Sequence, residues 1–263
     1  MEGRIRFRKI WSKIKTEIMP KLFKVGGCVR DSFLGIDSKD IDFTFVLDNL
    51  EQTVEQGFTD METWMQERGF QIFLSTPEMF TIRAKFPKGD PNEGLVADFV
   101  MARKEVGYVE GTRRPILVLG TLEDDLIRRD FTLNAMAIDE DGNLIDLFGG
   151  REDLEKKLLR TPLPAEQTMM DDPLRFLRAL RFAITKGFGI HPDILKAMQQ
   201  PDIKTKLRQT VSAERIREEV FKMMKHDTVK TLRMLHHVED DFIPGFISLV
   251  FDRGLWLKPT FEQ

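Results

Sequence analysis

Two kinds of apolar spacing divide the chain near Gly149-Gly150, and that division limits what it can fold into. Ahead of it lie short strand-like runs: LFKVGG, DIDFTFVL, FQIFL, MFTIRAKF, LVADFVMAR and PILVLG. Turn signals at Gly26-Gly27, Lys88-Gly89-Asp90-Pro91 and Glu110-Gly111 break them. Residues 51–68 (EQTVEQGFTDMETWMQER) read as a helix set among these strands. Beyond the division the strand pattern gives way to helical spacing in REDLEKKL, PLRFLRALRFAITKG, HPDILKAMQQ, SAERIREEVFKMMK and TVKTLRMLHHVE, with Gly187 as a stop and Ser212 as a cap. The expectation is an α+β fold whose mixed layer occupies residues 21–149 and whose remainder is all-α.

Composition removes several classes. At 263 residues, 41% hydrophobic and 32% charged, the chain can bury a core and is unlike a disordered sequence. No apolar run approaches the ~18 residues of a membrane-spanning helix, and MEGRIRFRKIW lacks the apolar core of a secretory signal. The single cysteine, Cys28, can form neither an intramolecular disulfide nor a thiolate zinc site alone, which points to a reducing, cytoplasmic location. Residues 4–18 form a basic amphipathic segment closed by Pro20, suited to docking. Its Arg-rich, acid-poor composition is shared with mitochondrial presequences, although serine is scarce. The formal net charge is -3, yet residues 151–233 carry 18 Lys and Arg against 12 Asp and Glu, a local excess that suits phosphate.

The strongest chemical signal is Gly26-Gly27-Cys28-Val29-Arg30-Asp31 followed by Asp40-Ile41-Asp42. Two glycines after an apolar strand let the backbone approach a ligand and offer N–H groups to phosphate oxygens, and Arg30 adds a cation. On a strand, Asp40 and Asp42 would share one face while Ile41, Phe43 and Phe45 turn to the core. Paired carboxylates repel unless cations intervene, and Mg2+, which takes oxygen ligands and keeps phosphates as partners, suits them. Asp98 places an acid in an otherwise apolar strand and is the candidate third carboxylate.

These residues carry a resemblance. GGCVRD with KDID, RRDFTLNAMAID (128–139), LIDLFGG (144–150), TPLPAEQTMMDDPLRFLRALRFA (161–183) and SAERIREEV (212–220) resemble, in order, the motifs of the class II tRNA nucleotidyltransferase and bacterial poly(A) polymerase family. The resemblance spans about residues 20–225. It implies a polymerase-β-like nucleotidyltransferase head over 21–149, a helical neck over 150–225 that reads the base, and a short helical body over 226–263, preceded by the basic segment at 1–20. By resemblance Arg129, Asp130 and Asn134 lie near the phosphate and sugar of an incoming nucleotide, and Asp172 with Arg175 reads its base. The chemistry agrees: adenine and cytosine both present an amino donor beside a ring acceptor, whereas guanine and uracil present the reverse, so an Asp acceptor beside an Arg donor selects A and C. Arg178 and Arg181, at helical spacing after Arg175, would reach the triphosphate.

The implied activity is magnesium-dependent addition of C and A to the 3′ end of tRNA from CTP and ATP. Poly(A) synthesis, partial addition of CC or A, and a catalytically silent RNA-binding module are the rivals. Two features depart from the family pattern: Asp171 stands where bacterial members usually carry Glu, and only about forty residues follow the last motif, short for a tRNA-gripping body and tail. Residues 103–125 correspond to the family's flexible loop for switching from C to A. Cys28 is expected to pack rather than react, and His226, His236 and His237 lack the partners of a zinc site. Phe80 and Phe131 are candidates to flank a base.

Overall fold

The computed structural model describes residues 20–38, 40–108 and 115–252, so the basic segment at 4–18 lies outside the described residues. The chain enters as strand β1 (Lys21–Val25), turns at Gly26 and runs into helix α1 (Gly27–Phe33). Then come β2 (Asp42–Val46), α2 (Val54–Glu67), β3 (Gln71–Thr76), β4 (Thr81–Lys85), β5 (Val96–Met101), β6 (Arg103–Tyr108), β7 (Pro115–Leu119), α3 (Leu122–Ile127), β8 (Met136–Ile138) and β9 (Leu144–Asp146). Seven strands form one sheet in the order β3-β4-β5-β2-β1-β8-β9, and β6 pairs with β7 as a separate hairpin. Every pairing in the large sheet is antiparallel except β2 with β5.

That parallel pair forms the middle of the sheet, and its burial follows from sequence. Phe43 and Phe45 of β2 and Phe99 of β5 alternate onto one face, where Phe43 stacks on Phe99 at 5.3 Å between ring centroids. Helix α2 covers this face with Val54, Phe58, Met61 and Met65, a helical-period stripe, and Thr53 accepts the Gln56 N–H to start it. Gly57 of α2 lies so near β7 that an added Cβ would fall 2.8 Å from a Leu119 methyl.

After residue 149 the chain runs through α4 (Gly150–Glu155), β10 (Leu158–Leu159), α5 (Ala165–Asp171), α6 (Leu174–Thr185), β11 (Gly189–Ile190), α7 (Pro192–Gln199), α8 (Pro201–Thr210), α9 (Ala213–His226), α10 (Thr228–His237) and α11 (Phe246–Phe251). Two departures from sequence expectation appear. Strands do continue past 149, as the two-residue parallel pair β10–β11, which is too short to show a period. The hydrophobic core also ignores the change of pattern: Cys28, Val29, Phe131, Leu133 and Met136 belong to the same buried cluster as Leu154, Leu177, Phe182 and Phe246. Among the described residues no helix is long and apolar enough to cross a membrane.

Candidate active site

The register of β2 assembles the acids. Asp42 is paired with Val25 of β1 on one side and with Asp98 of β5 on the other, so the two carboxylates stand on adjacent strands facing the same way. Ala97 and Phe99, the neighbours of Asp98, are buried on the opposite face. Asp40 lies exposed, two residues ahead of the strand, so it shares the site by proximity rather than by strand alternation. Burial pushes the Asp42 carboxyl above the usual range, opposed by Arg129 and reinforced by the charges of Asp98 and Asp40. Arg83 of β4 partly balances Asp98 at 3.2 Å.

Among the described residues no three His, Cys, Asp or Glu side chains converge tightly enough to form a closed metal cluster. The donor set nevertheless fits a hard cation. Asp42, Asp40 and Asp98 place carboxylate oxygens in one acid-rich corner, and Mg2+ ordinarily takes only one or two carboxylates and completes its shell with water and phosphate.

Gly26 places the turn against this corner. Its φ of 77° and ψ of -138° suit glycine, and a Cβ there would lie 2.9 Å from Arg129 Nη1 and 3.7 Å from Asp42 Oδ2. Arg129 is held from behind by Asp125 at 2.7 Å, and its Nε is a buried donor without a hydrogen-bond partner. Asp125 also takes Arg128 and the Thr44 hydroxyl. Burial would raise its carboxyl, but Arg129 and Arg128 outweigh that and hold it at about 2.

Arg30 is placed differently from the sequence expectation. It is buried, donates to Asp31 and to Asn134 Oδ1 at 2.6 Å, and lies over the Phe182 ring. Its charge therefore supports the junction beneath the glycine turn. Asn134 passes the contact on, donating to Asp130 Oδ1 at 2.8 Å. Asp130 is buried and also accepts the Phe131 N–H and Arg178 Nε. Burial favours its neutral form, but Arg178 and Asn134 outweigh this and keep the carboxyl below the usual range.

A cavity of about 370 Å3 opens beside Asp130, lined by Asp172, Arg175, Arg178, Arg215, Glu219 and Lys222 among others. Helix α6 supplies the arginines, because Leu174, Leu177, Leu180 and Phe182 occupy its buried face. Pro173 caps α6, and Asp172 Oδ1 accepts the Leu174 N–H at 3.2 Å. Arg175 donates to the carbonyls of Thr168 and Arg128, which points it between helix and head, and burial lowers its pKa. Arg178 lines the cavity, with Asp130 raising its pKa against the effect of burial. Arg181 does not line it; the side chain pairs with Glu219 at 2.5 Å and lies over Phe182.

Sequence reasoning singled out the segment containing Glu219 and Arg215 without assigning either a role. Glu219 is a buried acid taking Arg181, Arg178 and Lys222, and Arg215 reaches Asp172 at 2.7 Å. Their spacing of four on α9, facing the arginines of α6, was the available signal. Phe80 and Phe131 are both buried in cores, so neither is placed to flank a base. Cys28 donates to the Val25 carbonyl, and burial raises its thiol, in line with a packing role. His236 and His237 do meet acids, Asp240 and Asp241, on an exposed helical turn.

Comparison with known proteins supplies a context for this geometry. The family model described as the poly A polymerase head domain matches residues 22–160. A "Multifunctional CCA protein" of Hahella chejuensis is 36% identical over 230 residues, covering 84% of this chain and 48% of that protein. A tRNA nucleotidyltransferase of Schizosaccharomyces pombe is 34% identical over 228 residues, covering 82% of this chain and 44% of its own length. Among solved structures, the CCA-adding enzyme of Bacillus stearothermophilus in complex with CTP superposes with a TM-score of 0.65 at 28% identity, covering 86% of this chain and 50% of that one. The chain thus spans about half the length of the curated relatives it matches.

Proposed function

Because the chain belongs to the family of the poly A polymerase head domain, we propose that it is a magnesium-dependent, template-independent RNA nucleotidyltransferase that adds C and A to the 3′ end of tRNA from CTP and ATP. The observation that carries this reading is the Asp42–Asp98 register beside the Gly26 turn and Arg129, which sets acids, a side-chain-free turn and a cation at one strand end. Asp40 and Asp42 would hold Mg2+, which neutralises charge on the triphosphate and favours the ionised 3′-hydroxyl. Asp98 adds a third acid to orient that hydroxyl.

The backbone of Gly26-Gly27 and the Arg129 guanidinium receive the phosphates, and Arg178 lies at the cavity side of Asp130 to meet them. Asp130, fixed by Asn134 and Arg178, faces the sugar; an acceptor there favours a ribonucleotide, since a deoxy sugar leaves it unpaired. Asp172 and Arg175 read the base from the end of α5 and the start of α6. The 3′-oxygen attacks the α-phosphorus, the bond to the β,γ-phosphates breaks, and pyrophosphate carries the electron pair away.

The test is incorporation of each single labelled NTP, with magnesium, into tRNA lacking CCA, tRNA ending in CC, and an unstructured oligomer. Addition of C then A that stops at CCA on tRNA alone is expected. Long A tracts on any RNA would make the protein a poly(A) polymerase, A on the CC end only would make it a partial adder, and no incorporation would leave an RNA-binding module.

A further inference from the structure

We propose that the groove between α2 and β7 is the docking surface for this chain's own basic segment, residues 4–18. The groove holds about 1000 Å3 and lies at the end of the sheet opposite Asp42, the first residue of β2. Its floor is apolar. Phe58 of α2 and Phe80 are buried rings in edge-to-face contact at 6.2 Å, and Ile116 and Val118 of β7 stay 44% and 36% exposed along one wall. Its rim is acidic, with Glu51, Glu55, Glu62 and Glu78 and, among the described residues that line it, no Lys or Arg. None of these four carboxylates is in an ion pair with a described residue.

An apolar floor under an uncompensated acidic rim suits a peptide segment whose apolar stripe is flanked by cations, and it repels the phosphates of RNA. Residues 4–18 have that make-up. Phe7, Trp11, Ile14 and Ile18 recur at helical spacing, and Arg4, Arg6, Arg8, Lys9, Lys13 and Lys15 stand against the single acid Glu17.

The fold also delivers the segment to the groove. Lys21, where β1 starts, pairs with Val46, the last residue of β2, and Thr81, where β4 starts after the Pro77–Met79 turn, pairs with Val100 near the end of β5. The base of the β6–β7 hairpin joins this same end of the sheet: the Ala102 N–H donates to the Phe45 carbonyl, and the Gly120 N–H to the Ala102 carbonyl. From β1 across β2 and β5 to β4 is about 15 Å at the usual strand spacing, and a helical run of about 15 residues spans about 22 Å. A segment leaving Lys21 therefore reaches the whole groove. Seated there it touches α2 and β7 together, and so fastens the hairpin, which is separate from the large sheet, to the helix.

The test reads Trp11 in the full chain, as the difference between the fluorescence of the wild type and that of Trp11→Phe, with thermal melts as a control for folding. Trp11 is expected to emit to the blue and to be shielded from acrylamide, equally at every protein concentration. Reversing the rim with Glu55→Lys, Glu62→Lys and Glu78→Lys should remove the shielding, and so should reversing the segment with Arg8→Glu, Lys9→Glu and Lys13→Glu. Combining the two sets restores opposite charges across the groove and should bring the shielding back, which a folding defect would not do. A Trp11 as open to acrylamide as free tryptophan in the wild type overturns the proposal, as does shielding that survives either set of reversals. Loss without recovery in the combined variant overturns it too. Shielding that fades on dilution would move the contact to a second copy of the chain and overturn the assignment of the groove to its own segment.

Discussion

Asp125→Asn isolates one electrostatic contribution whose size the structure allows to be worked out. Asp125 is 1% exposed and accepts from Thr44, Arg128 and Arg129, and its carboxyl is held at about 2 rather than 3.8. Each pKa unit corresponds to about 1.4 kcal/mol, so the ionised form contributes about 2 kcal/mol to the fold. Because the folded value lies below the unfolded one, this stability is complete above about pH 5 and is lost as pH falls through 4 towards 2. The amide keeps the shape of the side chain but cannot titrate. Urea unfolding of both proteins between pH 3 and pH 7 should show a stability gap that is widest at pH 7 and narrows by about 1 kcal/mol at pH 3, where the folded carboxyl is still mostly ionised. Comparing the gap cancels every other titrating group that the two chains share. A gap independent of pH, or none at pH 7, would refute the account of Asp125 as a charge held by two arginines. A further consequence is that Arg129 loses its rear support, so nucleotide affinity should fall in the same variant.

Asp42→Asn should abolish incorporation yet leave the protein at least as stable at pH 7. The folded carboxyl of Asp42 is raised by burial and by Asp98 and Asp40, so its ionised form opposes folding above that pKa, and thermal melts with and without the substitution test this. Gly26→Ala forces a side chain into a left-handed turn and against Arg129; a loss of about 1–2 kcal/mol together with weakened triphosphate binding is expected, read by chemical denaturation and ATP titration. Glu219→Ala strips a buried acid from Arg178 and Arg181 and should cost about 3 kcal/mol while raising KM for every nucleotide alike. Asp130→Asn should lower discrimination between ATP and dATP in a competition assay, and unchanged discrimination would remove Asp130 from sugar recognition.

The sequence was most legible where chemistry and periodicity coincide. Six strands and α2 fall where apolar alternation and turn signals put them, and Leu174, Leu177 and Leu180 mark the buried face of α6 through their helical spacing. Strand β8 was hidden because MAI is only three residues long, and β6 because RKEVGY is a polar hairpin arm with a glycine rather than an alternating run. Helix α1 was masked by the two glycines that precede and open it. Within the site, residue types and spacing indicated which acids and arginines matter, but not which arginines turn inward. Arg30 and Arg181 share the charge of Arg129 and Arg178. Their seats on the Phe182 ring mark Arg30 and Arg181 as buttresses, whereas Arg178 lines the cavity and Arg129 stands against the glycine turn. The Arg181–Glu219 pair and the seat of Arg30 on Phe182 join positions far apart in the chain, which local pattern does not encode.

The buried cluster that crosses residue 149 makes the molecule hard to cut in two. A break there would uncover Cys28, Val29, Phe131, Leu133 and Met136 on one piece and their helical partners on the other, leaving each half with a sticky apolar face. Grafting this head onto a foreign helical partner would therefore demand that the new partner reproduce the buried surface around Phe182 and Leu177. The acids and the base pocket are, in this sense, inherited as one mechanical part.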